Sequence, residues 1–148
     1  MLEKNTKVIE YDINSLIAKK EKKMKISWLT IRVRDFEESK SYYKDFLGLT
    51  QEQEFSPQVG MKIVFFSDQS GTKIELIHNE SEEWKEKNNS AVSIGIIATE
   101  YEKILEKAKE KQMKLQGPMT IGKEMLCFFI NDPNGVGIQI IKDGSVNH

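Results

Sequence analysis

Two stretches of this chain recur at nearly one spacing, and that recurrence constrains the fold more than any other feature. Near residue 26 the chain reads ISWLTIRVRDFEES, and near residue 91 it reads AVSIGIIATEYEKI. Aligning Trp28 with Ser93 places Asp35 over Glu100 and Phe36 over Tyr101, an offset of 65. Further on, DQSGTKIELI (68–77) lies over DPNGVGIQII (132–141) at an offset of 64. Two separated blocks at almost one spacing point to two copies of a unit of about 60 residues. The length of 148 residues fits such a pair with a short leader.

Each copy follows the same local grammar. Residues 26–34 are apolar and β-branched with period-2 alternation, a strand signal. Asp35-Phe36-Glu37-Glu38 then forms a capping-box pattern that predicts a helix to about Leu47, with Gly48 as its C′ residue. In the second copy, strand 91–98 meets Thr99-Glu100-Tyr101-Glu102, a second capping-box pattern, and a Lys/Glu-rich helix to about Lys111. Three strands are expected after each helix: 49–55, 61–67 and 72–78, then 113–121, 124–131 and 136–142. The turns Asp68-Gln69-Ser70-Gly71 and Asp132-Pro133-Asn134-Gly135 carry hairpin chemistry, an Asx or Pro corner followed by Gly. The fold class predicted is α+β: two tandem β-α-β-β-β modules forming a curved mixed-sheet cleft. The domain runs over 24–142, with module one at 24–78, a polar linker at 79–90 tacked down by Trp84 as one helical turn, and module two at 91–142. Residues 1–23 are expected to be an N-terminal extension with a short helix over Asp12–Lys23, and 143–148 a tail.

Composition excludes several function classes. The chain has one cysteine, Cys127, and two histidines, His78 and His148, so neither an internal disulfide nor a cysteine-rich zinc site can form. A net charge of −1 offers no bulk attraction to nucleic acid or to anionic lipid. The longest apolar runs, Ile63–Phe66 and Met125–Ile130, are far shorter than the ~20 residues a bilayer requires. With no apolar leader and a lone cysteine, the expected location is the cytoplasm.

The strings IRVRDFEESKSYYKDFLGL, KIELI and FFINDPNGVGIQII resemble the vicinal oxygen chelate superfamily over about residues 25–142. That group includes glyoxalase I, bleomycin-resistance proteins, fosfomycin-resistance enzymes and extradiol dioxygenases. The resemblance implies a metal site with one ligand from the first and one from the last strand of each module. Carried over by position, those four places hold Trp28, Glu75, Ser93 and Gln139. An indole is no ligand, an amide is a weak one and a serine hydroxyl is neutral at pH 7. Only Glu75 is a good donor, so no cofactor is expected. A divalent metal held weakly by Glu75 and Gln139 is the alternative.

Strand alternation also places Trp28, Thr30 and Arg32 on one face, opposite Leu29, Ile31 and Val33. Ser93, Gly95 and Ile97 are their counterparts, opposite Val92, Ile94 and Ile96. The expected ligand-binding set is therefore Trp28, Thr30, Arg32, Glu75, Ser93 and Gln139. Trp28 either stacks on a planar ligand or fills the space that relatives give to metal and substrate. Arg32 either clamps a ligand anion or pairs with Glu75. Glu75 is the best candidate for a general base. Cys127, inside MLCFFI, is expected to be buried and inert, and His78 to end a strand facing away from Glu75. Two functions stand open: a metal-independent small-molecule binding protein, or a divergent metal-dependent lyase, isomerase or dioxygenase. A homodimer is the expected partner state.

Overall fold

The computed structural model describes residues 24–84 and 90–146. The expected helix over Asp12–Lys23, and His148, lie outside the described residues. The chain forms β1 (Trp28–Arg32), α1 (Phe36–Ser41), β2 (Thr50–Phe55), β3 (Met61–Ser67), β4 (Lys73–Asn79), β5 (Ser93–Ala98), α2 (Tyr101–Glu110), β6 (Leu115–Ile121), β7 (Met125–Asn131) and β8 (Gly137–Lys142). The first four strands make one sheet in the order β1-β4-β3-β2, and the last four make another in the order β5-β8-β7-β6. In each sheet the outer pair is parallel, β1 with β4 and β5 with β8, and the remaining pairings are antiparallel. The parallel pairing requires a long crossover, and the helix with its two following strands supplies it. The predicted fold class is the one observed.

The helix starts differ in a way the sequence did not separate. Asp35 caps α1 by accepting from the Glu38 N–H at 3.0 Å, as the capping pattern requires. At α2 the residue before the first turn is Glu100 rather than Thr99, and no side chain caps it. Beyond Ser41 the first helix widens: the Leu47 N–H donates to the Tyr42 carbonyl, five residues back, at 2.9 Å. Gly48, at φ 75°, then reverses the chain where an L side chain would be strained. Over the described linker residues 79–84 no helix forms; the Glu82 N–H donates to the Asn79 carbonyl, Arg34 lies over the Trp84 ring at 5.7 Å, and the rest of the expected turn at Trp84 lies outside the described residues.

Each outer strand carries a bulge. The register of β2 on β3 shifts between Gln51 and Glu54, and that of β6 on β7 shifts between Gln116 and Met119. At the second bulge Gly117 has φ 103°, and a Cβ there would lie 3.1 Å from the Cys127 carbonyl oxygen, so only glycine fits.

The core is continuous across both modules. Ile31, Val33, Phe36, Tyr43, Phe66 and Leu76 pack in one cluster with Tyr101, Ala108, Phe128, Ile138 and Ile140. Hydrogen bonds fasten the seam. The Tyr43 hydroxyl donates to the buried Asp132 carboxylate at 2.7 Å. The Asn134 side chain donates to Ser39 Oγ at 3.1 Å and accepts from the Arg34 N–H at 3.0 Å. The Asp-Gly turns are built alike: Asp132 Oδ1 accepts from the N–H groups of Asn134 and Val136, and Asp68 Oδ1 from those of Ser70 and Thr72. Only Asp132 is also buried against the other module.

Burial, with the Asp132 carboxylate beside them, pushes the Tyr42 and Tyr43 hydroxyls far above the ordinary tyrosine value. A raised folded-state value means that the stability is fully present below the unfolded value of about 10 and is lost as pH rises beyond it. The unfolded chain releases those protons first, at about 1.4 kcal/mol per pH unit for each tyrosine. The midpoint of urea unfolding is therefore expected to fall steeply above pH ~10. Tyr43→Phe should remove one proton's share of that slope; an unchanged slope would contradict the coupling.

Candidate functional site

The strand register settles which side chains share a face. Thr30 pairs with Glu75 and Trp28 with Lys73 on β1 and β4, while Phe65 pairs with Glu75 on β3 and β4. Trp28, Thr30, Arg32, Lys73, Glu75 and Phe65 thus lie on one face of the first sheet, away from the core. In the second sheet Ser93 pairs with Gly137, Gly95 with Gln139, and Phe129 with Gln139. That face carries Ser93, Gly95, Ile97, Phe129, Gln139 and Ile141.

Both faces are partly exposed. Trp28 is 51% exposed and Ile97 is 40% exposed, and Phe55, Met119 and Ile121 add further exposed apolar surface. The opposite residues Ile31 and Val33 are buried, and Leu29, Ile94 and Ile96 pack against the core. Val92 departs from the expected burial: it precedes β5 and is exposed.

Within the first face, Thr30 Oγ1 donates to Glu75 Oε1 at 2.7 Å. Trp28 stands edge-on to Phe65, with ring centroids 5.6 Å apart and planes at 89°. The nearby cations are already engaged. Arg32 meets Glu82 at 3.6 Å, so neither an ion pair with Glu75 nor an unpartnered guanidinium is present. Lys73 meets Glu52 at 3.7 Å. A hydrogen bond from Ser67, with Lys73 beside it, holds the Glu52 carboxyl below its ordinary value. Among the described residues no cation lies within ion-pairing distance of Glu75.

Within the second face, the Gln139 amide donates to Cys127 Sγ at 3.4 Å, and Cys127 is fully buried beneath it. Burial removes this thiol from any nucleophilic role. His78 faces the helix side, as alternation predicts. It is half-buried rather than meeting solvent, with Nδ1 3.0 Å from the Val33 carbonyl oxygen and its ring beside Phe36.

The six expected site residues therefore fall into two groups, Trp28, Thr30, Arg32 and Glu75 on one sheet and Ser93 and Gln139 on the other. Two cavities of the chain lie largely elsewhere. A cavity of about 1020 Å³ lies between α1 and the second sheet, against Tyr42, Phe46, Met113 and Phe129. Another, of about 730 Å³, runs along β1 against Thr30, Arg32, Trp84 and Val92. Neither is lined by Trp28, Glu75, Ser93 or Gln139. The role of Phe65 as the wall behind Trp28 was missed. The alternation of β3 puts it on that face, but only the register places it beside Trp28.

Two tandem β-α-β-β-β modules, each with a polar residue at the middle of its last strand, define a paired-module fold. The family model for the Glyoxalase/Bleomycin resistance protein/Dioxygenase superfamily matches residues 25–140, and the chain belongs to that superfamily. Among solved structures, the trypanothione-dependent glyoxalase I of Leishmania major is similar at 19% identity over 81% of this chain and 87% of its own, with a TM-score of 0.66. A lactoylglutathione lyase from Agrobacterium tumefaciens is similar at 16% identity over 82% and 94%, with a TM-score of 0.61. An antibiotic-binding protein from a Streptomyces species is similar at 16% identity over 80% and 95%, with a TM-score of 0.62. At these identities the likeness is one of fold. No curated protein sequence matches the chain significantly. Among the described residues no helix is long and apolar enough to cross a membrane.

A divalent metal, which this superfamily implies, does not fit the residues at these positions. Trp28 presents an indole packed on Phe65, and Ser93 a neutral hydroxyl. Gln139 is turned to the Cys127 sulfur, and Glu75 shares an oxygen with Thr30. One carboxylate and one amide on separate sheets leave a first-row ion mostly hydrated.

Proposed function

We propose that this protein binds a small planar molecule on the partly exposed faces of its two sheets, without the divalent metal of its superfamily. The observation that carries this reading is the half-exposed Trp28, braced edge-on by Phe65 beside the Thr30–Glu75 pair. An indole held by a second ring offers a flat apolar surface with little rotamer freedom left to lose on binding. Glu75, Thr30 and Arg32 supply the few polar groups that orient a ligand on such a surface. Ser93 and Gln139 belong to the site when a second copy of the chain brings its second sheet over the first. The exposed Ile97, Met119 and Ile121 are the apolar surface such a partner would cover. The similar Streptomyces structure, an antibiotic-binding protein, supports a binding role for this fold, whereas the similar glyoxalase I and lactoylglutathione lyase leave room for catalysis. The donor chemistry weighs against the second reading, a lyase, isomerase or dioxygenase with Glu75 as base.

A thermal-shift panel of planar organic compounds and divalent metals tests the reading on wild type and Trp28→Ala. Planar compounds are expected to raise the wild-type melting temperature, with the gain lost in Trp28→Ala. Sedimentation equilibrium of the same wild-type sample is expected to report a dimer. A shift from metals alone, retained in Trp28→Ala, would favour the catalytic reading.

A further inference from the structure

We infer that the ligand selected at Trp28 is an organic cation, recognised by Glu75 acting as an unneutralised carboxylate beside an aromatic wall. This rests on the binding reading above and adds the charge of the ligand. Arg32 is paired with Glu82 and Lys73 with Glu52, which leaves the carboxylate of Glu75 without a cationic partner among the described residues. Glu75 is half-buried, and among the described residues its one side-chain hydrogen bond is from the Thr30 hydroxyl to Oε1. A half-buried carboxylate without a counter-ion gains from a cation that brings its own apolar body.

The surroundings suit a cation that is also flat. Phe65 is Glu75's direct cross-strand neighbour, and Trp28 lies on β1 two residues before Thr30, the partner of Glu75 on that strand. The edge-on contact directs an edge of one ring at the face of the other, and the half-exposed indole retains surface for a ligand ring. Ring faces carry negative quadrupole charge and attract cations, most strongly for tryptophan. Carboxylate and ring therefore pull the same way. An anion would instead have to displace Glu82 or Glu52 from Arg32 or Lys73 while lying near Glu75.

Isothermal titration with three probes built on one quinoline ring at pH 7.5 tests the charge: N-methylquinolinium, neutral quinoline and quinoline-3-carboxylate. Wild type is expected to bind the cation about tenfold or more tightly than quinoline, and the carboxylate most weakly. Glu75→Gln should bring the cation down to the level of quinoline and leave quinoline unchanged. Trp28→Ala should weaken all three, and circular dichroism of each variant checks that the fold is kept. Equal affinities, or a cation preference that survives Glu75→Gln, would overturn the assignment of charge and leave the binding reading standing. Tightest binding by the carboxylate would do the same. Absence of binding by all three would overturn both.

Discussion

Phe128→Ala is expected to lower the stability of the protein by about 3–5 kcal/mol, the range for emptying a buried aromatic site. Phe128 is fully buried on β7, with Tyr101 edge-on to it at a centroid distance of 5.4 Å. It lies between α2 and the second sheet, within the cluster that also joins the first module. Rigid strands on one side and a helix on the other leave little room for collapse, so the cavity remains. At about 2–4 °C per kcal/mol for a chain of this size, the melting temperature should fall by roughly 6–20 °C. Phe55→Ala, at a half-exposed aromatic on the edge strand β2, is the control and should cost under ~1 kcal/mol. Equal losses for the two would mean that the core is not organised around Phe128.

Asp132→Ala is the second large effect, at about 3–5 kcal/mol. The Asp132 side chain accepts from two backbone N–H groups of its own turn and from the Tyr43 hydroxyl of the other module. It is 4% exposed, so water cannot readily replace what is lost. Each buried donor left unpaired costs about 1–3 kcal/mol, and relaxation of the turn keeps the total below the plain sum. Asp68→Ala removes the matching hydrogen bonds in the first module, where the turn is exposed and water takes over. That loss should be under ~1 kcal/mol. Urea unfolding of both variants gives the comparison, and matched losses would show that the seam contributes nothing.

Much of the fold was legible because strand patterning is local. The strand-length apolar runs in MKIVFFS and in MLCFFIN located β3 closely and β7 within a residue, and the Asp-Gly turns marked both hairpins. Asp35 was readable as a cap because its bond closes within three residues. The α2 start was not, since Thr99 and Glu100 are both chemically able to cap and neither forms the bond. The bulges at Gln51–Glu54 and Gln116–Met119 depend on the partner strand, and nothing in TQEQEF announces one.

The site divides along the same line. That Thr30 and Glu75 share a face follows from period 2 and the pairing of first and last strands, and they meet at 2.7 Å. Arg32's partner, Glu82, comes from the linker, where the sequence showed only polar character. Whether the Trp28 and Ser93 faces close on one another depends on how two modules pack. That packing is set by contacts such as Tyr43 with Asp132, 89 residues apart, which no local pattern encodes. The family resemblance alone would have placed a metal between those faces. The residues at the four positions argue against it.

Metal content of protein purified without chelators tests that central claim most directly. Elemental analysis of the whole chain is expected to give nickel, zinc, manganese and iron well below one per protomer, unchanged by Glu75→Gln. Near-stoichiometric metal in wild type that disappears in Glu75→Gln would contradict a metal-free binding site and restore the chemistry of the superfamily.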